Sequence, residues 1–152
     1  MNLKPFEIIE YQNGYEHLLI PFLERCLPES HRCLDINGRH SYYLNIGQYF
    51  KGFWCVFDDS RIIGTVAISE LSSENCELKS LYLLEKYHGM GYGKMMVLHA
   101  INSARNYGYK KMYLDSLSTS KKAISLYRKI GFIDTEKYNS SKYSDVFMVL
   151  EL

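Results

Sequence analysis

The sequence predicts a mixed α/β domain, and three observations carry that expectation. Apolar runs with strand character recur at Phe53–Phe57, Ile62–Glu70 and Cys76–Leu84. Two other segments repeat their apolar residues every three or four positions: Gly93, Met96, Val97, Ala100, Ile101 and Ala104, then Ala123, Ile124, Tyr127 and Ile130. The two kinds of segment interleave along 152 residues, a length suited to one domain over 1–152.

Phe6 to Tyr11 is expected to form the first strand, which Asn13-Gly14 breaks. Tyr15 to Leu27 has helical spacing at Leu18, Leu19, Phe22, Leu23, Cys26 and Leu27, and Pro21 inside it is expected to kink or delay the helix. Pro28 to Gly52 is irregular and aromatic-rich, with room for a short helix near Ser41–Phe50. Phe53–Phe57 and Ile62–Glu70 read as a hairpin turning at Asp58-Asp59-Ser60. In the Cys76–Leu84 strand, alternation sets Leu78, Ser80, Tyr82 and Leu84 on one face and Glu77, Lys79, Leu81 and Leu83 on the other. Glycines at 89, 91 and 93 follow, then a helix that Gly108 is placed to end. Met112–Ser116 is the next strand. Ser120 is an expected N-cap for the helix that Gly131 closes, and Phe132–Lys137 and Val146–Leu152 are the last strands.

Hydrophobic residues make up 47% of the chain and charged residues 23%, which excludes disorder as the main state. No apolar run approaches the roughly 18 residues of a membrane span. The first seven residues hold no signal-peptide core, so a cytoplasmic protein is expected. The net charge of +1 argues against a nucleic-acid binder. It hides an asymmetry. Lys79–Lys129 holds ten bases against two acids, a net of +8, leaving −7 on the remainder. The basic half suits an anionic ligand and the acidic remainder a cationic one, although exposed lysines also explain part of it. Cys26, Cys33, Cys55 and Cys76 form no C-x-x-C pair and read as reduced, buried thiols. No metal site is expected.

The segment Leu81–Lys94 is the most informative. A strand ends, glycines alternate with Met90 and Tyr92, and a helix begins. Unpaired N–H groups and the dipole make a helix N-terminus an anion site, and glycine lets a phosphate approach the backbone. The amides of about Met90 to Lys94 are therefore expected to hold a phosphate-bearing ligand; the other reading is a tight turn with no ligand. A P-loop fails because Met95 follows Gly93-Lys94, and a Rossmann fingerprint fails because the spacing is G-x-G-x-G.

Leu78-Lys79-Ser80-Leu81-Tyr82-Leu83 leading into Tyr87-His88-Gly89-Met90-Gly91-Tyr92-Gly93-Lys94 resembles motif A of the GCN5-related N-acetyltransferases, the GNAT family. Ala123 to Phe132 resembles that family's motif B, A-x-x-L-Y-x-K-x-G-F. His88 stands where motif A usually has Arg or Gln, and Ser120 where an Asn is common ahead of motif B.

The resemblance implies a splayed mixed sheet flanked by helices, with acetyl-coenzyme A (acetyl-CoA) in the gap. It implies pantetheine pairing with the backbone of Leu81 and Leu83, and pyrophosphate on the Gly89–Lys94 turn, met by His88, Gly89, Met90, Gly91, Tyr92, Gly93 and Lys94. Ser120 and Tyr127 would also border the cofactor, with Lys121, Lys122 or Arg128 at the 3′-phosphate. It further implies acetyl transfer to an amine of a small molecule or peptide in a ternary complex, with Tyr127 as general acid. Glu77, eleven positions before His88, is the candidate general base, with an edge-strand glutamate facing solvent as the other reading and Glu70 as a weaker candidate. Leu83 N–H is the implied oxyanion donor. Tyr42, Tyr43 and Tyr49 either line an acceptor pocket or belong to the core. A homodimer is compatible with the family. The alternatives are a non-catalytic acyl-CoA sensor on the same fold, which the His88 and Ser120 departures allow, and a mononucleotide-binding module.

Overall fold

A computed structural model describes residues 6–152, so the expectation drawn from Met1–Pro5 lies outside the described residues. Strand β1 is Ile8–Glu10, shorter than expected. Helix α1, Glu16–Glu29, runs through Pro21 and Pro28 instead of starting late. An interior proline costs about 3 kcal/mol. Each buried Leu or Phe returns about 1.5–3 kcal/mol, and α1 buries Leu19, Phe22, Leu23, Cys26 and Leu27 on one face. The expected helix near Ser41–Phe50 is a 3₁₀ turn, Ser41–Leu44, followed by a single turn, α2, Ile46–Tyr49.

Strands β2 (Gly52–Asp58) and β3 (Arg61–Glu70) form the expected hairpin, with Asp59 in the left-handed region at φ +53°. Strand β4 is Asn75–Leu83, helix α3 Tyr92–Asn106, strand β5 Lys111–Ser116 and helix α4 Lys121–Ile130. Buried Met96, Val97, Ala100, Ile101 and Ala104 reproduce the expected stripe of α3. Ser120 occupies the N-cap position of α4, but its side chain makes no capping bond. Strands β6 (Ile133–Asp134) and β7 (Val146–Glu151) end the chain. The strand expected over Phe132–Lys137 shrinks to β6; the chain then leaves the sheet as an irregular segment, 135–145.

Among the described residues seven strands form one sheet in the order β1-β2-β3-β4-β5-β7-β6. Of these seven, only β4 and β5 pair in parallel, at three positions: Asn75 with Lys111, Cys76 with Met112 and Glu77 with Tyr113. β4 continues to Leu83 and β5 to Ser116 without pairing to each other, so the sheet splays open beyond Glu77.

A bulge corrects the simple alternation expected for β4. Ala67 pairs with Lys79 but Thr65 with Tyr82, so Ser80 and Leu81 together oppose Val66. Ser80 sits at φ +52°, its carbonyl accepts from Thr65 Oγ1 at 2.8 Å, and its hydroxyl lies 2.7 Å from the Tyr43 hydroxyl. The extra residue carries Tyr82 to the face of Glu77 and Lys79, and Leu81 and Leu83 to the opposite one.

The expectation of four buried thiols holds for three. Cys26, Cys55 and Cys76 are buried, and Cys33 is exposed. Among the described residues no cluster of His, Cys, Asp and Glu suits a metal ion, and no helix is long and apolar enough to cross a membrane. Burial pushes the Cys26, Cys55 and Cys76 thiols up to about 12, so they are neither reachable nor ionised near pH 8. A disulfide reagent at pH 8 is therefore expected to titrate one thiol in the native protein, that of Cys33, and all four after denaturation.

Candidate active site

The glycine turn follows the open end of β4. After a 3₁₀ turn, Glu85–Tyr87, the chain passes Gly89 at φ +78° and Gly91 at φ +89°, the latter at the N-cap of α3. Nothing lies within 4 Å of a Cβ built at either, so the left-handed backbone, not crowding, calls for glycine there. The first bond of this turn of α3 runs from Met95 N–H to the Gly91 carbonyl, at 3.1 Å. The amides of Tyr92, Gly93 and Lys94 lie ahead of it at the positive end of the helix. A Cβ on Gly93 would stand 3.4 Å from Leu126, so the turn lies close against α4.

Tyr87 braces this turn. It is buried, and its hydroxyl donates to Asp58 of the β2–β3 hairpin at 2.5 Å. The Tyr92 ring stacks on Phe6 at 5.2 Å, with Tyr87 edge-on to Phe6 at 5.9 Å. Met90 and Lys94 are exposed. His88 Nε2 lies 2.8 Å from the Leu83 carbonyl, so this nitrogen donates to the strand end and Nδ1 is the one left for another partner.

Tyr127 lies on α4 with its ring edge-on to Phe132 at 5.8 Å, and it is only 7% exposed. Burial, above all, pushes its phenol well above the usual range; Arg32 opposes that shift, while Tyr82 and Asp115 add to it. Residues of the post-α1 loop, β4 and β5 thus act together on this side chain.

Glu77 stands at the last paired position before the splay. It is buried, which excludes a solvent-facing edge glutamate. Lys79 Nζ lies 3.2 Å from its Oε1. Tyr138 donates to its Oε2, as does Asn139 Nδ2 at 3.3 Å. The same Asn139 nitrogen reaches Asp115 Oδ2 at 2.5 Å, and Ser144 donates to Asp115 Oδ1 at 2.8 Å. Burial works against the charge of Lys79, but the Glu77 and Asp115 carboxylates outweigh it and raise its pKa. Segment 135–145 thereby closes over two neighbouring carboxylates.

The remaining candidates divide. Glu70 accepts from the Tyr109 hydroxyl at 2.6 Å, outside the Glu77 cluster. Tyr43 belongs to the core, Tyr42 is half-buried with Tyr82 and Lys79 near its phenol, and Tyr49 is exposed. Arg128 is held by both oxygens of Asp134, at 2.8 and 3.2 Å. Lys121 and Lys122 are exposed on α4. Tyr82 stood inside the motif A segment but was assigned no role, and Arg32, Asp115, Tyr138, Asn139 and Ser144 carried no motif signal; for the last three the one hint was a long polar stretch between two strand-like runs, the kind of loop that carries function.

Residues 15–132 match the acetyltransferase (GNAT) family, and the chain belongs to it. It is 35% identical over 83 residues to the Escherichia coli uncharacterized N-acetyltransferase YjgM, covering 53% of this chain and 50% of that protein. It is 27% identical over 88 residues to human N-acetyltransferase 8B, covering 55% and 39%. The chain spans about half the length of the curated relatives it matches. An acetyltransferase from Streptococcus agalactiae shares the fold with a TM-score of 0.88 at 20% identity, covering 99% of this chain and 100% of that one. The PaiA N-acetyltransferase of Thermoplasma acidophilum, solved with coenzyme A, has a TM-score of 0.77 at 18% identity, covering 98% and 100%. The expected splayed GNAT fold is thus the fold of this chain.

Asn139→Ala would leave two adjacent carboxylates without their shared donor. We expect it to lower the unfolding free energy by about 1–3 kcal/mol, measured by urea denaturation.

Proposed function

We propose that the protein is an acetyl-CoA-dependent N-acetyltransferase that passes an acetyl group directly to an amine of a small molecule or peptide in a ternary complex. The observation that carries this reading is the parting of β4 and β5 beyond Glu77, which opens a gap leading to the amides of α3. The residues present fit coenzyme A. β4 from Leu81 to Leu83 has no partner strand on the β5 side, and pantetheine is an extended chain with two amides that suit such an edge. The open space around Gly89 and Gly91 leaves the backbone accessible to a pyrophosphate. Lys122, with Lys121, supplies positive charge for the 3′-phosphate; Arg128, already paired, is the weaker candidate.

The bound thioester supplies an activated acetyl group. Leu83 N–H is the proposed donor to the carbonyl oxygen as charge builds on it. Glu77 is the proposed base for the attacking amine. Tyr127, kept protonated by its burial, is the proposed acid for the departing sulfur. A non-catalytic acyl-CoA sensor on the same fold is the second reading, and the filled hydrogen-bond shell of Glu77 is the observation that favours it. Binding of coenzyme A without turnover of any amine would select the sensor.

Tyr127→Phe is expected to lower kcat by at least about tenfold while calorimetry shows an unaltered affinity for coenzyme A. Unchanged turnover would remove Tyr127 from the reaction. Gly91→Glu sets a carboxylate where the phosphates would lie and forces a side chain into left-handed backbone. Loss of coenzyme A binding is expected, and retained affinity would contradict the pose.

A further inference from the structure

Glu77 has no open line to a substrate amine. Its Oε1 is held by Lys79 at 3.2 Å and its Oε2 by Tyr138 and Asn139, and the residue is 6% exposed. Two of these partners cannot pass a proton inward. A charged ammonium and an amide nitrogen donate hydrogen bonds but accept none. The Tyr138 hydroxyl differs, because it donates to Oε2 and keeps lone pairs of its own. Its ring packs on Tyr113 at 4.8 Å and edge-on to Phe147 at 5.9 Å, and it is half-buried, unlike the carboxylate behind it.

We propose that Tyr138 is a catalytic relay that carries the acceptor's proton to Glu77. The proposal rests on the transferase reading above. In the step, an N–H bond of the amine breaks and its proton bonds to Tyr138 Oη. The Tyr138 O–H bond breaks in concert and that proton bonds to Glu77 Oε2. The electron pair left on nitrogen makes the bond to the acetyl carbon as the carbonyl π pair moves to oxygen; that pair re-forms the carbonyl when the C–S bond breaks, and the departing sulfur takes its proton from Tyr127. Tyr138 ends the step as it began, and Glu77 holds the proton. Burial, then the Glu77 charge, hold the Tyr138 phenol far above its usual range, which disfavours a free phenolate and favours concerted transfer. The groups facing Glu77 suit this role. Lys79 on β4 supplies positive charge, Asn139 spans Glu77 and Asp115, and Tyr113 on β5 holds the relay ring in place.

The test uses the full chain and the Tyr138→Phe, Glu77→Gln and double variants, with acetyl-CoA and whichever of spermidine, L-lysine, phenylethylamine or an alanine-initiated peptide the wild type turns over fastest. Tyr138→Phe should lower kcat at least about tenfold, with coenzyme A affinity unchanged by calorimetry. Two residues acting in series should not compound, so Glu77→Gln added to Tyr138→Phe should cost less than about threefold more. A proton inventory in mixed H₂O and D₂O should curve for the wild type and straighten for Tyr138→Phe. Losses that multiply, a straight wild-type inventory, a Tyr138→Phe rate near wild type, or lost coenzyme A binding in that variant would each overturn the relay while leaving the transferase reading in place. No wild-type turnover across the panel would overturn both.

Discussion

Three residues of parallel pairing, ending at Glu77 and Tyr113, join the two halves of the sheet, and everything at the site follows from where that pairing stops. Beyond it, one side of β4 and one side of β5 present backbone donors and acceptors with no strand between them. Such edges need a covering, which no strand of the sheet supplies here. A carboxylate at the vertex of this gap is costly to bury alone. Lys79, Tyr138 and Asn139 offset that cost, and in doing so draw segment 135–145 across from the far edge of the sheet.

The bulge at Ser80 decides what each side of the gap sees. Without the extra residue, Tyr82 would share a face with Leu78. With it, Tyr82 joins Glu77 and Lys79, and Leu81 and Leu83 turn to the opposite face. Thr65 and Tyr43 hold the distortion through the Ser80 carbonyl and hydroxyl. A buried threonine on β3, the cross-strand partner of Tyr82 on this same face, and a core tyrosine from the 3₁₀ turn thereby fix where Tyr82 stands beside Glu77 and Lys79.

Much of this was legible in the sequence because it is local. The glycine turn, the stripe of α3 and the Tyr127 segment each lie within about a dozen residues, and periodicity and turn chemistry report on such windows. What escaped is nonlocal or against the period. Tyr138 and Asn139 follow Glu77 by more than sixty residues and meet it only because the β6–β7 connection folds back across the sheet, with β7 beside β5 and β6 outside β7. Alternation cannot register an added residue, so the bulge moved Tyr82 unseen. Pro21 signalled a break that the buried face of α1 overrides. His88 looked like a ligand-facing substitute for Arg or Gln, and one of its nitrogens is instead engaged by the Leu83 carbonyl five residues back.

The clamp on Tyr87 has a thermodynamic consequence. Its tie to Asp58 and the ring contacts of Phe6 and Tyr92 hold the glycine turn to a distant hairpin and to the first strand's approach. Glycine-rich backbone is intrinsically loose, and a loose anion cradle loses entropy each time it is occupied. Here those contacts order the turn when the chain folds, so an anion in the proposed seat would lose less affinity to freezing the loop.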